Sequence, residues 1–221
     1  MLVKICGMTS QEDIDICRDN GVDIVGFLLQ PPSNKLDRVD MLEMNVAKEL
    51  IEYVPKSMNS CLLIHFKDVE KVISTITALN PDMIQIQKQS TLNLNDLKNI
   101  KENFPDIKII KTFNIEKEVN LEELLKTIKV YTDSQVIDFI LVDSEKGGSG
   151  KTHDWKQSSE IVSRVKPFPV MLAGGLTPEN IKDAISKVNP SGIDVMSGVN
   201  QNNSKSKDGT KVSLFVKNVK S

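Results

Sequence analysis

The stretch Val170-Met-Leu-Ala-Gly-Gly-Leu-Thr-Pro-Glu-Asn180 decides the fold of this chain. An apolar run ends in Gly174 and Gly175, and a helix start follows at once. Thr177 is the predicted N-cap of that helix, and Pro178 fits its first position. The two glycines leave their backbone N–H groups open to an anion, and the positive end of the helix points at the same place. The stretch therefore predicts a strand, a phosphate-binding turn and a helix.

A second stretch repeats this arrangement further along the chain. Gly192-Ile-Asp-Val-Met-Ser-Gly198 predicts another short strand that ends in Ser-Gly. Taken alone, each stretch also fits an ordinary strand-to-helix turn. Two neighbouring strand ends of this kind, in this order, are typical of the last two strands of a (β/α)8 barrel, where phosphate binds. The predicted phosphate-binding residues are Gly174, Gly175, Ser197 and Gly198.

The rest of the chain alternates short apolar strands with amphipathic helices. The strands predicted before the two phosphate-type strands are residues 2–6, 22–29, 61–66, 83–86, 107–112 and 136–142. Alternation of this kind produces a parallel sheet with helices packed around it. The sequence therefore predicts the α/β class and a single (β/α)8 TIM barrel domain over residues 1–221, without a linker.

Composition narrows the classes of function. The charges nearly cancel at −2, which gives no basic surface for nucleic acid. The sequence contains no apolar run long enough to span a membrane and no signal peptide. Cys6, Cys17 and Cys61 lack the spacing of a disulfide framework, which favours the reducing cytoplasm. The two histidines, His65 and His153, do not cluster as metal ligands, and we interpret His65 as barrel packing.

Residues just past the strand ends carry the chemistry of such a barrel. Those in this chain include Cys6, Lys35, Gln87, Asp143 and Asp194. A thiolate at Cys6 could act as a nucleophile or a base, although a buried cysteine is also common. Asp143 could serve as a general acid if desolvation raises its pKa, or it could cap a loop. The residues alone leave both alternatives open.

The segment Gly147-Gly-Ser-Gly-Lys-Thr152 ends like a nucleotide-binding P-loop. That motif requires a glycine at the position occupied here by Glu145, so the P-loop interpretation fails. We predict instead that Gly147, Gly148 and Gly150 belong to a lid over the barrel mouth.

Six blocks of the sequence resemble the phosphoribosylanthranilate isomerase family. They are Val3-Lys-Ile-Cys-Gly-Met-Thr9, Gly26-Phe27, Leu141-Val-Asp-Ser144, Gly147-Gly-Ser-Gly-Lys-Thr-His-Asp-Trp155, Leu172-Ala-Gly-Gly-Leu-Thr-Pro-Glu-Asn180 and Asp194-Val-Met-Ser-Gly-Val199. The blocks occur in the family's order and run almost from end to end. The first and fourth blocks are the most specific.

This resemblance implies a cofactor-free isomerisation in tryptophan biosynthesis. N-(5-phosphoribosyl)anthranilate would become 1-(2-carboxyphenylamino)-1-deoxyribulose 5-phosphate, with Cys6 as general base and Asp143 as general acid. These roles require a partly ionised thiol and a carboxyl group kept neutral by an apolar setting. The resemblance places Asp194 on the anthranilate side of the mouth. A phosphorylated small molecule is the expected partner, and the expected state is a monomer or a homodimer.

The chain departs from the family pattern on the side of the aromatic acid. The family's arginine for the anthranilate carboxylate is Lys35 here, with Arg38 as a nearby substitute. A mouth histidine is replaced by Gln87, and a serine of the last block by Met196. Two alternatives therefore stay open beside the family's reaction: a related phosphosugar isomerase with a different substrate, and a non-catalytic protein that binds a phosphate ligand.

Overall fold

A computed structural model of the protein describes residues 1–29, 41–87, 90–115, 120–144 and 155–221. The strands are β1 (Leu2–Cys6), β2 (Ile24–Leu28), β3 (Asn59–Ile64), β4 (Met83–Ile86), β5 (Lys108–Ile115), β6 (Phe139–Ser144), β7 (Val170–Leu172) and β8 (Gly192–Val195). The helices are α1 (Gln11–Asp19), α2 (Met44–Tyr53), α3 (Val69–Leu79), α4 (Leu94–Asn103), α5 (Leu121–Asp133), α6 (Trp155–Val165), α7 (Ile181–Val188) and α8 (Gly209–Lys220). A short 3-10 helix covers Ser197–Val199.

The strands of the described residues form one closed parallel barrel. Each strand pairs with the next along the chain, and β8 closes the barrel against β1. The α/β class and the (β/α)8 fold predicted from the sequence are therefore confirmed. The predictions for Lys35, Arg38, Gly147, Gly148 and Gly150 lie outside the described residues.

Several predicted strand boundaries were wrong by a few residues. Strand β2 begins later than predicted, and β3 begins and ends earlier. Strand β6 starts at Phe139 and contains Asp143, whereas Val136 and Ile137 are buried in the core without strand pairing. Apolar residues before a strand resemble the strand itself in sequence, because burial and pairing select the same side chains.

Three aspartates connect pairs of strands at the N-terminal end of the barrel. Each stands immediately before an even-numbered strand, and its carboxylate accepts a hydrogen bond from the second backbone N–H of the preceding strand. The pairs are Asp23 with Val3 at 2.7 Å, Asp82 with Ser60 at 2.7 Å and Asp138 with Ile109 at 2.8 Å. Hydrogen bonds to a charged acceptor contribute about 1.5–3 kcal/mol each, so this end of the barrel is firmly held.

The core has two layers, because alternate strand residues face opposite sides of the sheet. The inner layer fills the barrel with side chains from six strands: Ile24, Cys61, Met83, Ile110, Leu141 and Met171. The larger outer layer lies between the sheet and the helices. Within the described ranges, no helix has the length and apolar character needed to cross a membrane.

Candidate active site

A cavity of about 140 Å³ opens at the C-terminal ends of the strands. Its lining contains every predicted site residue that the structure describes: Cys6, Gln87, Asp143, Asp194, Gly174, Gly175, Ser197 and Gly198. Active sites of (β/α)8 barrels lie at this end, where loops from several strands converge. The structure thus brings a thiol, two carboxyl groups and the glycine-rich turns together.

Cys6 is the last residue of β1 and points into the barrel mouth. It pairs in register with Gly26 of β2, and it is only 3% exposed. A Cβ atom on Gly26 would overlap the Cys6 Sγ atom. Glycine at this position of β2 therefore leaves the space that the thiol occupies.

A fully buried lysine lies next to this thiol. Lys4 Nζ donates hydrogen bonds to Cys6 Sγ at 2.7 Å, to Gln85 Oε1 at 2.6 Å and to Asp194 Oδ1 at 3.1 Å. Gln85 in turn donates from Nε2 to Thr112 Oγ1 at 3.3 Å. An ammonium group has three N–H donors, so these three acceptors satisfy Lys4 completely.

The charges in this cluster set the protonation states. Burial raises the pKa of the Cys6 thiol, and the Asp194 carboxylate raises it further, while the Lys4 ammonium opposes both. Burial lowers the pKa of Lys4, but Asp194 and Cys6 outweigh it and raise that pKa above its ordinary value. Lys4 therefore stays charged. The raised pKa of Cys6 favours the neutral thiol, whereas the sequence predicted a partly ionised one.

Asp143 and several other polar side chains line the same cavity. Asp143 is half-buried on β6 and pairs in register with Asn114 of β5. His65 follows the end of β3 and also lines the cavity, a position that the interpretation of His65 as barrel packing did not include. Although this lining is polar, the described residues contain no group of three or more His, Cys, Asp or Glu side chains that could hold a metal ion.

The glycine-rich turns after β7 and β8 touch each other at the rim. Gly174 and Gly175 have φ angles of 93° and 64°, which residues other than glycine rarely adopt. In the described part of the chain, their N–H groups donate no hydrogen bond. A Cβ atom on Gly198 would overlap the carbonyl oxygen of Leu176. The two turns therefore approach closely and leave backbone donors facing the cavity.

Asn180 fixes the first of these turns. Its Oδ1 accepts from the Thr177 N–H at 2.9 Å, and its Nδ2 donates to the Gly175 carbonyl oxygen at 2.9 Å. Helix α7 begins only at Ile181, so the prediction of Thr177 as N-cap was wrong. The asparagine side chain binds back to the turn, and residues 178–180 form a separate turn before the helix.

Sequence reasoning missed four polar residues of the site. Gln85, Asn114 and His65 line the cavity, and Lys4 lies directly behind Cys6. A signal for Lys4 was present, because residues two apart on a strand share a face and a lysine inside an apolar strand is unusual. Gln85 gave a similar signal as a polar residue inside β4, whose range was predicted correctly, whereas Asn114 and His65 depend on where β5 and β3 end.

The closed parallel barrel and its polar mouth place the protein in the class of (β/α)8-barrel enzymes. The model of the family described as N-(5'phosphoribosyl)anthranilate (PRA) isomerase matches residues 3–218. An N-(5'-phosphoribosyl)anthranilate isomerase of Methanosarcina acetivorans is 34% identical over 229 residues, which cover 99% of this chain and 92% of the relative. The chain therefore belongs to the phosphoribosylanthranilate isomerase family, and it is an isomerase of tryptophan biosynthesis, as the sequence predicted.

Solved structures agree with this family. The N-(5'-phosphoribosyl)anthranilate isomerase of Pyrococcus furiosus matches with a TM-score of 0.81 and 26% identity, over 100% of this chain and 98% of that chain. A phosphoribosyl anthranilate isomerase in complex with reduced 1-(o-carboxyphenylamino)-1-deoxyribulose 5-phosphate matches with a TM-score of 0.78 and 25% identity, over 100% and 98% of the two chains.

Proposed function

We propose that this chain converts N-(5-phosphoribosyl)anthranilate to 1-(2-carboxyphenylamino)-1-deoxyribulose 5-phosphate, with Cys6 as general base and Asp143 as general acid. The observation that carries the proposal is the common cavity. Cys6 on β1 and Asp143 on β6 line it together with the glycine-rich turns after β7 and β8. An acid and a base on separate strands can act on one substrate whose phosphate is bound at the rim.

The reaction begins with two proton transfers between the protein and the substrate. Protonated Asp143 gives its proton to the ribose ring oxygen, and the C1–O bond breaks to give a protonated imine. The positive imine nitrogen acidifies the hydrogen on C2, which the Cys6 thiolate removes. The resulting enolamine then tautomerises to the ketone, and Cys6 is left as a thiol while Asp143 is left as a carboxylate.

The reactive form of the free enzyme, with Cys6 as a thiolate and Asp143 protonated, is a small fraction of the population. The reactive pair, a thiolate and a carboxylic acid, holds the same number of protons as a thiol and a carboxylate. Transfer of one proton from Cys6 to Asp143 therefore interconverts the two pairs. Burial raises the pKa of Cys6, which limits the thiolate fraction but also makes the thiolate a stronger base once formed.

Phosphate binding by Gly174, Gly175, Ser197 and Gly198 is part of the same proposal. The positive φ angles of Gly174 and Gly175 and the close contact at Gly198 support it, because side chains at these positions would strain or block the turns. We assign Asp194 and Gln87 to the anthranilate side of the cavity. Lys35 and Arg38 stay predicted ligands of the anthranilate carboxylate, and Gly147, Gly148 and Gly150 a predicted lid.

A kinetic assay tests the proposal directly. The purified protein should consume phosphoribosylanthranilate, followed as loss of the substrate's fluorescence, and Cys6→Ser should lower kcat by about a hundredfold or more. A folded wild-type protein without this activity would favour the related phosphosugar isomerase. Normal turnover in Cys6→Ser would remove Cys6 as the base.

Three features stay predictions. They are a single domain over residues 1–221, a cytoplasmic location, and a monomer or homodimer as the functional state. Size-exclusion chromatography with light scattering measures the last of these.

A further inference from the structure

Lys4 is a charged group that the proposed reaction does not use. Lys4 and Cys6 lie two residues apart on β1, so both side chains point into the barrel. The Lys4 side chain is completely shielded from solvent, and its three donors end on Cys6, Gln85 and Asp194. The contact with Cys6 Sγ, at 2.7 Å, is short for a hydrogen bond to sulfur.

A purely structural role does not explain why a charged side chain occupies this interior position. Removing an ammonium group from water costs several kcal/mol, and apolar side chains of similar volume fill protein interiors at least as well. The neighbouring interior layer of this barrel consists of such residues, including Cys61 and Met83. The carboxylate bonded to Lys4, on Asp194, itself lines the cavity. The charged pair is therefore directed towards the mouth.

Lys4 and Asp194 act on the Cys6 sulfur in opposite directions. The ammonium stabilises negative charge on Sγ, whereas the carboxylate destabilises it. With Cys6 as a thiol the three groups sum to zero charge, and with Cys6 as a thiolate they sum to −1. Among the residues that the structure describes, the other titratable groups near Sγ are the Cys61 thiol and the side chains of His65 and Asp143 around the cavity.

We propose that Lys4 is a positioning residue for Cys6, which holds Sγ at the mouth and carries the positive charge that permits the thiolate to form, while Asp194 restrains it. The inference rests on the proposed role of Cys6 as the base. Substrate in the form of a protonated imine brings a compensating positive charge into the cavity. The thiolate is thus favoured when the cation that it must deprotonate is present.

Alkylation of Cys6 tests this inference without using catalysis. A thiolate reacts with iodoacetamide and a thiol does not, so the rate at fixed pH reports the thiolate fraction. Mass spectrometry of peptides separates Cys6 from Cys17, which is fully buried outside the barrel and reports general unfolding. Lys4→Met should lower the Cys6 rate at least tenfold, and Asp194→Asn should raise it at least tenfold. The Cys17 rate should stay constant in both variants.

The double variant Lys4→Met with Asp194→Asn supplies the decisive comparison. It leaves no unpaired buried charge, so it should fold even where Lys4→Met does not, and its Cys6 rate should fall between those of the two single variants. A loss of structure would change both single variants in the same direction and would accelerate Cys17. Equal Cys6 rates in wild type and Asp194→Asn would overturn the inference.

Kinetics separates this inference from the proposed function. Lys4→Met should lower kcat at least tenfold with little change in KM, because the substrate does not touch the buried ammonium. If the Cys6 alkylation rates shift as expected while Cys6→Ser keeps full turnover, Lys4 controls the thiol but Cys6 is not the base. If Cys6→Ser is inactive while the Cys6 alkylation rates are the same in all variants, Cys6 is the general base but Lys4 does not control its ionisation.

Discussion

One aspartate stands immediately before strand β6 and another lies near the end of that strand, and the two have different surroundings. Asp138, at the base of the barrel, accepts hydrogen bonds from Ile109 N at 2.8 Å, from Lys101 Nζ at 2.9 Å and from Lys108 Nζ at 3.1 Å. Asp143, at the mouth, lines the cavity. One residue type thus serves two purposes at the two ends of the barrel. At the base the carboxylate holds neighbouring strands together, and at the mouth it faces the space where a substrate binds.

The largest effect that separates the two ends is expected for Asp143→Asn. The amide cannot donate the proton that opens the ribose ring, so kcat should fall by about a hundredfold to ten-thousandfold. The change removes no connection at the base, so the thermal unfolding midpoint should change little. Steady-state kinetics and circular dichroism measure the two quantities. A large loss of stability without loss of turnover would reverse the assignment of roles.

Lys111 extends the comparison of the base and the mouth of the barrel, because its buried charge lies at neither end. It is 7% exposed on the outer face of β5, and within the described residues its contact is with the ring of Tyr131, 5.7 Å from Nζ to the centroid. Burial lowers its pKa from 10.5 to about 8. The shift corresponds to roughly 3 kcal/mol, and the cation–π contact returns about 1 kcal/mol, so Lys111→Met should stabilise the fold by about 2 kcal/mol at pH 7.

The stabilisation expected for Lys111→Met should decrease as the pH rises from 8 to 10.5. Between pH 8 and pH 10.5 the unfolded chain holds the Lys111 proton and the folded chain does not, so wild-type stability rises with pH relative to Lys111→Met. Urea unfolding of both proteins across this range measures the difference. A difference in the free energy of unfolding that stays constant across this range would show that burial does not destabilise the charged form of Lys111. The substitution Lys129→Met, on the exposed face of α5, is the control and should change little.

Asp138→Asn tests the base of the barrel. It weakens three hydrogen bonds to the carboxylate, so the free energy of unfolding should fall by about 1.5 kcal/mol at pH 7, while kcat stays within about twofold of wild type. Burial raises the pKa of Asp138, but the Ile109 N–H and the ammonium groups of Lys101 and Lys108 outweigh it and lower the pKa below 3.8.

The sign of that shift fixes where the Asp138 contribution disappears. A lowered carboxyl pKa gives stability that is complete above the unfolded value of 3.8 and is lost as the pH falls through the folded value. Wild type and Asp138→Asn should therefore converge in stability below pH 3.8. Asp19→Asn, on the exposed surface of α1, is the control and should change the free energy of unfolding by less than about 1 kcal/mol at pH 7. A difference between wild type and Asp138→Asn that persists unchanged in acid would exclude the carboxylate as its source.

The smallest effect is expected at Lys35, whose role is inferred from the sequence alone. One ammonium–carboxylate pair near the surface contributes about 0–1 kcal/mol, so Lys35→Ala should raise KM no more than about fivefold. Lys35→Arg should hold or improve kcat/KM, because a guanidinium binds a carboxylate through two hydrogen bonds. Removal of Lys35 and Arg38 together should cost more than the sum of the single changes. Full activity in that double variant would exclude both as ligands of the anthranilate carboxylate.

The sequence was sufficient for the barrel because alternation of strands and helices is a property of the whole chain. It was less reliable for the contacts of individual side chains, because several partners are possible for each. Asn180, rather than Thr177, is the residue that precedes helix α7, and its side chain binds back to the first phosphate turn. The spacing of residues could not distinguish the two. Lys4 and His65 were missed as site residues because their importance depends on barrel closure and on the residue at which β3 ends.

The aspartates at the base also divide the barrel into modules. Asp23, Asp82 and Asp138 tie β1 to β2, β3 to β4 and β5 to β6 through a side chain. The fourth pair, β7 and β8, is joined there by a backbone bond from Ser191 N to Val170 O. That same pair supplies the phosphate turns. Among the described residues, the pair of strands without such an aspartate at its base thus presents the turns that a bound phosphate would bridge, and the ligand would add a connection between β7 and β8 at the mouth.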